Sequence, residues 1–224
     1  MGRPRILGEL RKLGIPVAKS TVEKYRMRPR QPSSPSWRAF LKTHISESVA
    51  LDFFTVPTVG FKVLVLLIVL AHDRRRVLHF NVTEHPTAQW TAQQVVEAFP
   101  WESAPRYLLR DRDGVYGPVF RHRVAGLGME EVLTAARSPW QNPYAERLIG
   151  SIRRECLDHV IVFSEAHLRR VLARYFVYYH RWRTHLSLAM DSPEGRQIQP
   201  PEHGAVIAVP ELGGLHHHYE RRAA

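Results

Sequence analysis

Of the 224 residues only one is cysteine, Cys156, so the chain has neither the means for an internal disulfide nor the ligands for a cysteine-rich zinc site. A lone thiol fits a reducing compartment and a packing role. Long apolar runs are missing too. The longest, Val63 to Ala71, falls well short of the roughly 20 residues a membrane span needs. The basic N-terminus has no signal-like apolar centre, and the expectation is a cytoplasmic protein with no membrane partner. Acidic residues are scarce beside basic ones, 21 against 32, which leaves a formal charge of +11. That excess draws the chain to a polyanion, with nucleic acid ahead of an anionic membrane surface. What is present in quantity is apolar: 44% of residues are hydrophobic, enough for one sizeable core and a small satellite.

The first 30 residues carry two short helical patterns about Gly14-Ile15-Pro16, the second opening on Ser20-Thr21-Val22-Glu23, a capping-box sequence. They read as part of a helix-turn-helix, with Lys19 and Lys24 facing phosphates, or as an ordinary basic helical hairpin. Residues 31–45, rich in Pro and Ser at their start, read as a linker. A core spans residues 46–190. It opens with three apolar strands, SVALDFFTV, FKVLVLLIVLA and RRVLHFNVT, joined by short turns into an antiparallel meander. A helix follows over Thr87 to Phe99, then a strand at Arg106 to Leu109, a helix over Gly117 to Ala125, a strand at Glu131 to Thr134, a helix from about Pro143 and a longer one from Ser164 to Trp182. The tail, residues 191–224, has Pro, Gly and three consecutive histidines without clear period, and reads as irregular and solvated.

Three acids stand out. Asp52 is the one charge inside an apolar strand, where a carboxylate costs several kcal/mol unless a cation compensates it; an edge position facing water is the plainer account. Asp111 follows a strand at its carboxyl end, where open α/β sheets build their sites, while Asp113-Gly114 reads as turn chemistry. Glu146 sits just inside the helix that begins near Pro143; it is either a cap suited to the macrodipole or a ligand. Glu155, nine residues on, falls on the opposite face, whereas Arg153, seven residues on, returns to the face of Glu146.

With 58 residues between Asp52 and Asp111 and 34 between Asp111 and Glu146, in the contexts LDFFTV, LLRDRDGVY and SPWQNPYAERLIGSIRREC, the chain resembles the DDE integrase and transposase superfamily, specifically the integrase-core transposases of bacterial insertion sequences. The likeness continues through Tyr175 to Leu188. It implies an α/β, RNase H-like fold, a mixed five-stranded sheet flanked by helices, in which Asp52, Asp111 and Glu146 hold two Mg²⁺ ions, for which Mn²⁺ may substitute. It also implies phosphodiester cleavage and strand transfer at the ends of a mobile element, by a homo-oligomer on DNA. The DNA contacts expected of it are Arg153, Arg112, Arg137, Trp140 and Asn142. Paired ions about 3.5 to 4 Å apart on oxygen ligands suit such chemistry independently.

The gap from Asp111 to Glu146 is one residue shorter than is common in that class, and His180 stands where such transposases often show Asn. The chain starts inside what resembles the second half of a larger N-terminal DNA-binding region, so a truncated, silent element-end binder is the alternative. A helix-turn-helix repressor is a second, and it leaves Asp52 unexplained. Trp90 and Trp101 read as core.

Overall fold

The computed structural model describes residues 17, 18, 20, 21, 35–100, 103–135, 138 and 141–223. The chain divides after Ser34, and the unit from Pro35 to Ala224 is the one described below. The expected helix-turn-helix, Lys19 and Lys24 included, lies outside the described residues apart from four positions.

Five strands form one sheet in the order β3-β2-β1-β4-β5: β1 Ser48–Pro57, β2 Val63–Ala71, β3 Val77–Thr83, β4 Tyr107–Arg110 and β5 Glu130–Leu133. The first three pair antiparallel as a meander, and β4 and β5 join parallel to β1, so the sheet is mixed. β2 lies inside the sheet and is apolar at every position, as a strand covered on both faces must be. On one face Ala50, Phe54, Leu66 and Ile68 pack against α4 (Pro143–Glu155) and α5 (Glu165–Arg181). On the other, Val49, Leu51, Leu67 and Val69 pack against α2 (Ala88–Ala98) and α3 (Pro118–Gly126). The RNase H-like arrangement expected from the sequence is the one observed. The hydroxyls of Thr87 and Ser164 accept from the backbone N–H groups of Trp90 and His167, which fixes the starts of α2 and α5. Among the described residues no helix is long and apolar enough to cross a membrane.

Two expectations need correction. The linker of residues 31–45 contains a helix, α1 (Pro35–Thr43). Trp37, Phe40 and Leu41 lie on one helical face and pack on the core, with the Phe40 ring edge-on to Tyr107 at 5.2 Å. The Pro and Ser residues that suggested a linker only precede and open this helix. The tail is not irregular either: β6 (Ala205–Glu211) and β7 (His216–Arg222) form an antiparallel hairpin. His216 stacks on Tyr178 at 4.5 Å and 5°, and the buried His218 on Trp182 at 3.7 Å and 2°. Two residues along a strand advance about 6.6 Å and four along a helix about 6 Å, so alternate histidines meet aromatics one helical turn apart.

Candidate active site

The ladder between β1 and β4 pairs Ser48 with Tyr107, Val49 with Leu108 and Ala50 with Leu109. Two residues beyond that last pair stand Asp52 on one strand and Asp111 just past the other. Parallel neighbours are about 4.8 Å apart, so the register brings the two acids side by side at the carboxyl end of β4. Strand alternation gives Asp52 the face of Ala50 and Phe54, the face that α4 covers. Glu146 is in the first turn of α4, exposed, its backbone N–H bonded to the carbonyl of Asn142.

Burial pushes the Asp52 carboxyl up from an ordinary 3.8 to about 7; the Phe53 backbone N–H, which donates to it at 2.8 Å, opposes that rise, while the charges of Asp111 and Glu146 add to it. Both other acids therefore act on Asp52. None of them forms an ion pair among the described residues, and no three His, Cys, Asp or Glu side chains there are closed into a metal-binding cluster. The donor set, three carboxylates with one held near 7 chiefly by burial, suits a hard divalent cation.

Neighbouring side chains hold this arrangement. Asn142, expected to touch DNA, is 7% exposed; it caps α4 without a side-chain cap bond, and its amide instead donates to Asp52 Oδ2 at 3.4 Å, leaving Asn142 Oδ1 unpartnered. Tyr116 is buried against Phe53 and Phe120, and its hydroxyl is held well above its ordinary value by burial first, then by Asp111 and Asp52. Arg110, next to Asp111, is buried and ion-paired with Glu131 of β5, with its guanidinium 4.5 Å from the Tyr116 ring. Sequence reasoning missed Tyr116 and this ion pair; the available signal was Glu131, an acid in the strand beside β4.

Arg153 is exposed over the Phe54 ring at 5.2 Å and donates to the Thr55 carbonyl, on the same side of α4 as Glu146. Arg112 is exposed and donates to the Thr134 carbonyl. Arg137 and Trp140 lie outside the described residues. Asp113 accepts from Val115 N–H, as a turn residue does. Glu155 points elsewhere: Tyr175 and Arg183 donate to it at 3.0, 2.7 and 2.6 Å, and although burial alone would raise its carboxyl, these bonds hold it below the usual range. His180 accepts from Val77 N–H at 2.9 Å and ties α5 to the edge of the sheet.

Residues 127–193 match the integrase core domain family. Among solved structures, the chain is similar to one from the simian T-cell lymphotropic virus intasome in complex with the PP2A regulatory subunit B56 gamma, at 10% identity and TM-score 0.55 over 98% of this chain and 87% of that one. It is similar to the HTLV-2 integrase catalytic core domain in complex with magnesium, at 9% identity and TM-score 0.51 over 67% and 94%. It is similar as well to the Mos1 transposase catalytic domain with raltegravir and Mg, at 20% identity and TM-score 0.53 over 62% and 75%. At these identities the structures show a shared fold alone. No curated protein sequence matches. The fold is that of integrase and transposase catalytic domains. Within that fold, residues 127–193 carry the integrase core segment, as the resemblance read from the sequence implies.

Proposed function

We propose that the chain is a DDE-type polynucleotidyl transferase, a transposase that cleaves DNA at the ends of a mobile element and joins those ends to target DNA, acting as a homo-oligomer in the bacterial cytoplasm. The observation that carries this reading is the β1–β4 register, which sets Asp52 beside Asp111 on the face covered by the helix of Glu146. Asp52, Asp111 and Glu146 would hold Mg²⁺ or Mn²⁺. Bound there, such ions activate an attacking oxygen and stabilise the one that leaves. The chain's own residues do the rest. Asn142 and Phe53 N–H orient the Asp52 carboxyl, Arg110 and Tyr116 fix the strand end that carries Asp111, and Arg153, exposed and bonded through one nitrogen to the Thr55 carbonyl, has donors left for a phosphate that three acids alone would repel. No side-chain nucleophile is needed, since water or a DNA 3′-hydroxyl supplies the attacking oxygen.

A second reading, an element-end binder that does not cut, is favoured by one observation: the acids are not drawn into a closed cluster. The separating experiment uses purified full chain and labelled DNA from both flanks of its gene, with Mg²⁺ or Mn²⁺. The wild type is expected to nick and join. Glu146→Gln removes an anionic ligand at constant size, so turnover should drop by about 4 kcal/mol of barrier, roughly 10³-fold, with DNA affinity unchanged or slightly higher. Binding without cutting under either metal would favour the second reading, and wild-type turnover in Glu146→Gln would remove Glu146 from the site.

A further inference from the structure

A cavity of about 360 Å³ lies beside α4, between it and the segment that follows α5, and its walls contain four arginines, Arg75, Arg147, Arg154 and Arg183, and no carboxylate. Of the four, only Arg183 has an acidic partner among the described residues, Glu155. Arg75, Arg147 and Arg154 form no ion pair among the described residues. None of the three catalytic acids lines this space. Arg147, Ser151 and Arg154 sit about 80 to 140° around α4 from Glu146, so the cavity faces away from the acid site.

Two features show that Arg75 and Arg154 are held there. Arg75 takes a left-handed backbone conformation, φ 61°, and its half-buried guanidinium rests 3.6 Å from the centre of the Tyr144 ring. A residue with a Cβ adopts that conformation only when its surroundings impose it, and burial lowers the Arg75 guanidinium despite the opposing charge of Asp73 and its bond to Tyr144, so the half-buried cation is held at a cost. Arg154 lies back along α4 over Gly150, where an added Cβ would come within 2.9 Å of its Nη1. Glycine inside a helix is unfavourable relative to alanine, and here its missing side chain is the room the guanidinium uses. The remaining polar wall is neutral: burial, then Arg183, lowers His185 to about 4, so it adds no competing charge.

We propose that this cavity is a second phosphate-binding site, which takes a backbone phosphate of DNA on the side of α4 away from the three acids. Guanidinium forks match tetrahedral oxyanions in charge and geometry. The identity of the phosphate's source rests on the DNA-acting reading above; the anion site itself does not.

The test is the full chain carrying Arg147→Ala and Arg154→Ala together, both at exposed positions outside the catalytic acids. Inorganic phosphate, with chloride at equal ionic strength as control, should raise the thermal midpoint of the wild type and not of the variant. For an arbitrary DNA duplex, the slope of log affinity against log salt should fall by about two in the variant, one for each lost phosphate contact, with affinity at least tenfold weaker at low salt. A lower slope without a phosphate-induced shift still supports the proposal, because it means that the phosphate must be part of a polymer. A phosphate-induced shift lost in the variant with duplex binding unchanged overturns it in favour of a small phosphorylated ligand. Unchanged behaviour in both arms, or a wild type that binds no duplex, overturns it outright. Glu146→Gln should leave both readouts as in the wild type, so a failure of cutting is told apart from a failure of this site.

Discussion

Asp52 sits at a cost that a cation held under the proposed function would relieve, and that cost is measurable. Below about pH 4 its carboxyl is protonated in folded and unfolded chains alike. As pH rises toward 7 the unfolded chain ionises first, so stability is lost across that window and the loss is complete above about 7. The rise from 3.8 to about 7 corresponds to about 4 kcal/mol; partial solvent access to this half-buried group reduces that to about 2, or about 5 °C of thermal midpoint. Without divalent metal at pH 8, Asp52→Asn should therefore melt above the wild type, and Mg²⁺ should restore the wild type and leave the variant unmoved. Identical melting of the two proteins from pH 4 to 8 would sink this account. Asp52 was legible because a charge inside LDFFTV contradicts its strand. Asn142 was not. Its position before Pro143 announces a helix cap, and only the fold reveals that its amide is turned to Asp52 instead.

The elements divide by what holds them. The meander was legible because β1 and β2 bury both faces, so their apolar runs leave little choice of structure. The hairpin was hidden: HHHYERR has no apolar stripe, and the surfaces that order it, Tyr178 and Trp182, are about 40 residues earlier in the chain. Its weak point is the entry. Gly204 has φ 108°, and a Cβ there would come within 2.3 Å of the Arg222 carbonyl oxygen. Gly204→Ala should cost about 2 to 3 kcal/mol and speed amide exchange over residues 205–222 while exchange in β1 and β2 stays slow. A wild-type exchange pattern would show that the strand ends are not bound to that geometry. α1 was missed for a related reason, since Trp37, Phe40 and Leu41 form a recognisable helical face that the neighbouring Pro and Ser residues obscured.

At the scale of the whole molecule, the proposed function makes two demands: a charge of +11 would make DNA binding steeply salt-dependent, and a preference for element ends would have to come from somewhere more selective than charge. We assign it to residues 1–30. Removing them should reduce the preference for end DNA over arbitrary duplex by at least about tenfold while general affinity falls less; full end preference in the shortened chain would refute the assignment. The core itself carries a schedule. Asp52 and Asp111 meet only because β4 comes back beside β1 after the meander and α2, and Glu146 arrives 34 residues later still. Contacts so distant in the chain form late in folding, and a growing chain emerges from its N-terminal side first. Under the proposed function, the acid site is thus withheld until the chain has been made past Glu146, whereas residues 1–30 are made before it, so a partly made molecule would hold DNA before it could break it.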